Sequence, residues 1–138
     1  LALIKSSEKL VLTTYICPAG YPTIGYGHVV KASEAESFVG GITEAHAGEL
    51  LQADVVAAQR AVLRLIRVPL SDGQFDALVS FTFNLGGGAL QRSTLRRKLN
   101  RGDYESVPAE LTKWVWAGGR KLKGLVVRRR AEAILFSA

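Results

Sequence analysis

Apolar residues recur along the chain at two periods, and the changes of period mark its elements. Leu3, Ile4, Leu10 and Val11 fall at helical spacing with Lys5, Glu8 and Lys9 between them, which predicts a short amphipathic helix over 1–12. From Tyr15 to Val30, β-formers alternate with Pro18, Gly20, Pro22, Gly25 and Gly27, the composition of a tight two- or three-stranded sheet. Residues 31–42 are polar and end at Gly40-Gly41, so a mobile connection is expected there. Thr43 then offers a cap to a helix of about six turns, in which Leu51, Val55, Ala58, Val62 and Leu65 step by threes and fours before Pro69.

The rest of the chain is helical in pattern. Ser71-Asp-Gly-Gln74 is a capping box, and Phe75, Leu78, Val79, Thr82 and Phe83 follow on a helix apolar all round, the expected core helix, ended by Gly86-Gly87-Gly88. Ser93 can cap a short basic helix to Asn100. Another helix is expected from about Tyr104 to Trp116 with Gly118-Gly119 as its stop, and a last one from about Leu125 to Phe136 with Ile134 and Leu135 inward. The expected architecture is α+β, mainly α, with two lobes in a single domain over 1–138. A small β lobe occupies about 13–42, a linking helix about 43–66, and an all-helical lobe about 67–138 that the N-terminal helix joins.

Length and charge narrow this picture. At 138 residues the chain supports one core and not two independent ones. It contains no run of apolar residues long enough to span a membrane, and Lys5, Glu8 and Lys9 interrupt the position of a signal sequence. The chain has no Met, so residues before Leu1 are expected to have been lost or processed. One Cys excludes an internal disulfide, which leaves Cys17 a free thiol. Residues 1–90 hold six basic and eight acidic side chains, and residues 91–138 twelve and four, for net charges of −2 and +8. The basic half favours a polyanionic partner, whether nucleic acid, anionic lipid or envelope polymer.

Candidate chemistry concentrates in Glu8 to His28, which gathers an acid, a thiol, a hydroxyl and an imidazole. Glu8 is expected at a helix end, facing the Thr23 hairpin and partly shielded by Tyr15 and Tyr26, where it could serve as general acid. Glycines at 20, 25 and 27 suggest that the backbone passes close to a ligand or a neighbouring strand, which makes Tyr26 and Gly27 substrate-binding candidates. Cys17 can be read as a small buried residue or as a nucleophile with His28 as base, the plan of a cysteine amidase or peptidase. We read His28 instead as a structural group held by an acid such as Asp54. Two histidines and one cysteine at these spacings do not form a zinc set, so no metal or other cofactor is expected. Arg128-Arg129-Arg130 could be a nucleic-acid patch, but no reader motif surrounds it; one of the three could turn inward to a buried carboxylate.

Taken in order, five strings resemble the phage-type lysozymes, endolysins and muramidases of glycoside hydrolase family 24. They are Ser7-Glu8-Lys9-Leu10, Gly20-Tyr-Pro-Thr23-Ile-Gly-Tyr-Gly-His28, Asp54-Val-Val-Ala-Ala, Ser80-Phe-Thr-Phe-Asn84-Leu-Gly86, and Trp116-Ala-Gly-Gly119 with Gly124-Leu-Val-Val-Arg128-Arg129-Arg130. The resemblance implies a lysozyme-like fold. It also implies cleavage of the β-1,4 bond between N-acetylmuramic acid and N-acetylglucosamine of peptidoglycan, in a cleft between the lobes. By the same resemblance Glu8 is the general acid, Thr23 helps place the attacking water and Arg128 supports the acid. His28 and Asp54 form a structural pair, while Phe83 and Asn84 line the cleft. Cys17 stands where many members have an aspartate, which leaves open whether the thiolate acts on the water or attacks carbon. A monomer made in the bacterial cytoplasm and acting on the wall in the periplasm, without nucleic acid, is the implied setting.

Overall fold

The N-terminal helix stops earlier than its apolar spacing suggests. In the computed structural model, which describes residues 2–138, α1 covers Ala2–Ser7, and the expected helix to residue 12 gives way to strand β1, Val11–Ile16. Leu1, where that helix was expected to begin, lies outside the described residues. The run Val11-Leu-Thr-Thr-Tyr-Ile16 is rich in β-branched and aromatic side chains, which lose rotamer freedom in a helix and pack well on a pleated surface. That preference overrides the helical spacing Leu10 and Val11 share with Leu3 and Ile4.

Strand β1 pairs antiparallel with β2, Pro22–Gly25, and β2 with β3, His28–Val29, in the order β1-β2-β3. The register sets Tyr15, Thr23 and Val29 abreast on one face and Ile24 abreast of His28 on the other. Ile24, Val30 and Phe38 form a buried core, with Ile42 and Leu50 packed against it. Phe38 corrects the reading of 31–42 as a mobile connection. A single 3₁₀ turn at Ala35–Phe38 holds its ring in that core, and the Ile42 N–H bonds Leu12 O at 2.9 Å.

Helix α2, Glu44–Leu65, begins as expected, with Thr43 Oγ1 accepting from the His46 N–H at 3.1 Å. Leu51, Val55, Ala58, Val62 and Leu65 are all buried along it. The chain forms two compact units, 2–54 and 55–138, and α2 contributes to both.

Within 55–138 the centre is α3, Asp72–Leu85, packed on α7, Lys123–Ser137. The capping box is reciprocal: the Gln74 N–H donates to Ser71 Oγ at 3.1 Å, and the Ser71 N–H to Gln74 Oε1 at 2.9 Å. Buried Phe81 meets Trp114 edge-on, ring centres 5.5 Å apart. Gly86 ends α3, but Gly87 at once opens a further helix, α4, Gly87–Arg92. Ser93 caps α5, Thr94–Asn100, as expected.

The helix expected over 104–116 shrinks to α6, Val107–Leu111. Trp116–Ala117, β4, instead pairs with Arg120–Lys121, β5, so this half of the chain is not all helical. Gly118 and Gly119 take φ values of 58° and 76°, the two successive positive angles a two-residue hairpin turn requires. The glycine pair is thus a turn and not merely a stop. In α7 the inward stripe is Arg129, Glu132 and Phe136, at one-turn steps, which leaves Ile134 outward and 66% exposed.

Candidate functional site

Glu8 directly follows α1, and its N–H closes the last turn on Ile4 O at 2.9 Å. Its half-buried carboxyl group lies against the β2–β3 turn. A methyl group on Gly27 would stand 2.6 Å from Oε2 and 2.9 Å from Cδ, and Gly27 has φ 77°. Only glycine lets the turn come this close in this conformation. The preceding residue, Tyr26, carries Lys5 Nζ over its ring at 5.6 Å.

Cys17 follows β1 at a tight turn. Its N–H bonds Tyr21 O at 2.9 Å, and the Gly20 N–H bonds Cys17 O at 2.8 Å. By strand alternation Cys17 shares the face of Tyr15 and Thr23. Burial pushes the thiol up, but the Tyr21 amide, the Thr23 hydroxyl and the Ala19 and Gly20 amides outweigh it and hold the thiol below its usual range. Thr23 is 3% exposed, and its hydroxyl also donates to Tyr21 O at 2.9 Å. One proton cannot serve both the carbonyl and the sulfur at once. Tyr15 completes the cluster: burial first, then the negative charges of Glu8 and Cys17, push its phenol up. The fold therefore brings Glu8, Tyr15, Cys17, Thr23, Tyr26 and Gly27 together within 2–54.

His28 stands on the other face. Nδ1 lies 2.7 Å from Asp54 Oδ2 and Nε2 2.7 Å from Glu34 Oε1, so carboxylates occupy both ring nitrogens. The Asp54 hydrogen bond contributes most to raising the imidazole, against burial and with help from Glu34. With Cys17 on the opposite face and neither nitrogen open, the thiol–imidazole dyad has no geometry to act through. The Asp54 partner matches the sequence reading, whereas Glu34 was missed. Glu34 also accepts the Lys31 N–H at 2.9 Å; burial opposes its ionisation, but that amide and His28 hold its carboxyl below the usual range.

In the 55–138 unit, two arginines turn inward where sequence reasoning anticipated one. Arg128 is 4% exposed, donates through Nη2 to Ser80 O at 3.2 Å and lies over the Phe83 ring at 6.0 Å. Arg129 is fully buried and donates to Asn84 Oδ1 at 2.7 Å. Its Nε lies 2.9 Å from Glu132 Oε1, a close charge contact without an aligned hydrogen bond. The Ser80 hydroxyl donates to Glu132 Oε2 at 2.6 Å. Burial lifts the Glu132 carboxyl, opposed by Arg129, Ser80 and Arg128. Asn84 and Phe83, anticipated as substrate contacts, are thus half-buried partners of this cluster. The polar spacing of Ser80 and Asn84 on an apolar helix was the available signal for it. Among the described residues no group of acids, His or Cys is arranged to hold a metal ion.

The phage lysozyme family profile matches residues 5–132. An endolysin of Acyrthosiphon pisum secondary endosymbiont phage 1 is 40% identical over all of this chain and 94% of its own length. An endolysin of Bacillus phage B103 is 42% identical over 97% of this chain, which spans only 51% of that protein. Among solved structures, the muramidase domain of SpmX from Asticaccaulis excentricus is 35% identical and superposes with a TM-score of 0.82, over 99% of this chain and 93% of that one. With the profile matched over nearly the whole length and a relative 40% identical from end to end, this chain belongs to the phage lysozyme family.

Proposed function

We propose that the protein is a peptidoglycan hydrolase of the muramidase type, cleaving the β-1,4 bond between N-acetylmuramic acid and N-acetylglucosamine. The observation that carries this reading is the seating of the Glu8 carboxyl against Gly27, in the same unit as a Cys17–Thr23 pair in which the thiol is predisposed to ionise. Glu8, protonated, gives its proton to the leaving glycosidic oxygen. A water held by Thr23 attacks the anomeric carbon from the opposite side, and the Cys17 thiolate accepts its proton. An acid and a base separated by a water are the plan of an inverting glycosidase, so inversion is the expected outcome. Tyr26 and Gly27 on the turn are the proposed glycan contacts beside Glu8, and Phe83 and Asn84 on α3 are candidates that the family resemblance alone carries. Arg128 is a supporting residue carried by the family resemblance, and His28 with Asp54 is structural.

The expected setting is a monomer made in the bacterial cytoplasm that acts on the cell wall. Analysis of purified wall digests tests the reaction: reducing sugar ends are expected. Free amino groups would mean an amidase, and 1,6-anhydro ends a lytic transglycosylase.

A further inference from the structure

One surface of the 55–138 unit is charged in a way that hydrolysis of a glycan does not require. Val56, Arg60, Leu63 and Arg64 fall on a single stripe of α2, directly opposite the buried Val55, Ala58, Val62 and Leu65, and exposed Arg67 follows two residues past the helix end. Two helices extend the charge sideways. A methyl on Gly87 of α4 would lie 3.9 Å from Arg64 Nη2, and one on Gly88 would lie 2.9 Å from Arg92 Nη1, so the two guanidiniums flank the same helical turn. On α5, Arg96 bonds Leu65 O at 3.0 Å, one residue from Arg64, and exposed Arg97 reaches Arg92 O at 3.4 Å. No Asp or Glu occurs in 55–71 or 77–102, and among the described residues none of these arginines forms an ion pair.

The cations are nearly all Arg, whose planar fork suits phosphate oxygens. Between them Leu63 is 69% exposed and Val56 37% exposed. A soluble polyanion offers these side chains nothing, whereas a bilayer offers phosphates to the guanidiniums and an acyl boundary to the leucine. We propose that this face docks on the headgroups of an anionic phospholipid membrane, with Leu63 entering the interface. Among the described residues no helix is long and apolar enough to cross a membrane, and the docking needs none.

Co-sedimentation of the whole protein with vesicles at physiological salt tests this independently of catalysis. Binding is expected to vesicles containing phosphatidylglycerol and not to pure phosphatidylcholine. R60Q/R64Q/R67Q should weaken partitioning on the order of a hundredfold. Leu63→Ser should weaken it roughly tenfold while leaving binding to soluble polyphosphate unchanged. Unaltered thermal transitions and wall lysis in solution would show that these surface changes leave the fold intact. Failure of wild type to bind anionic vesicles, or unchanged binding by the triple variant, overturns the proposal. Unchanged vesicle binding by Leu63→Ser also overturns it, by showing a face that reads soluble phosphate polymers.

Discussion

Cys17 determines what the pH profile of lysis must look like. If the thiolate is the base, activity rises as pH passes upward through a thiol pKa held below its ordinary value by the surrounding amides and Thr23. Cys17→Asp should keep lysis and move that rise toward the carboxylate range, whereas Cys17→Ala should lose about 10²- to 10⁴-fold; clearing rates of purified walls across pH check both. Thiol-blocking reagents that spare lysis would reduce Cys17 to packing. Glu8→Gln should lower turnover by a comparable or larger factor with little change in melting temperature. Gly27→Ala should act on the same acid from outside it, because its methyl would fall 2.6 Å from Glu8 Oε2 at a strained φ. The loss should appear in kcat, with a stability cost of about 1 kcal/mol or more. The spacing of Glu8, Cys17 and Thr23 was legible as a string. The contact of Glu8 with Gly27 was not, since it depends on a backbone angle that no composition reports.

The strand pair that presents these groups is tied to α2 through His28, and the tie titrates. The raised imidazole stabilises the fold fully below its ordinary pKa of about 6.5 and loses that contribution as pH climbs through the raised value. The depressed Glu34 carboxyl stabilises above its ordinary value of about 4.3 and loses its contribution as pH falls through the lowered one. The brace is therefore strongest in mildly acid solution, and His28→Gln should flatten the melting-temperature profile above about pH 6.5. Glu34 escaped notice because 31–42 has no periodicity to place it. Elements were legible where a cap and a period coincide, as at Thr43, Ser71 and Ser93. They were misread where glycine pairs admit both a helix stop and a hairpin turn, as at Gly118-Gly119.

Across the molecule, the buried Arg129–Glu132 contact within 55–138 is the polar group least able to tolerate loss of a partner. Glu132→Ala would leave guanidinium charge fully buried and the Ser80 hydroxyl proton without its acceptor, and should cost about 3–5 kcal/mol in chemical denaturation. The charge asymmetry along the chain was legible from counting; the inward turn of two arginines was not, because adjacent residues on an isolated helix do not reveal which neighbour buries them. The boundary between the compact units falls inside α2, with eleven residues of the helix on each side, Glu44–Asp54 and Val55–Leu65. Helical segments shorter than about 12–15 residues are marginal on their own, so neither half is self-sustaining once cut from the other. The backbone hydrogen bonds that bridge residue 54 to residue 55 and beyond thus couple two hydrophobic cores in folding. A chain cut at that point should fray the helix in both fragments, and the intact chain should melt in one calorimetric transition.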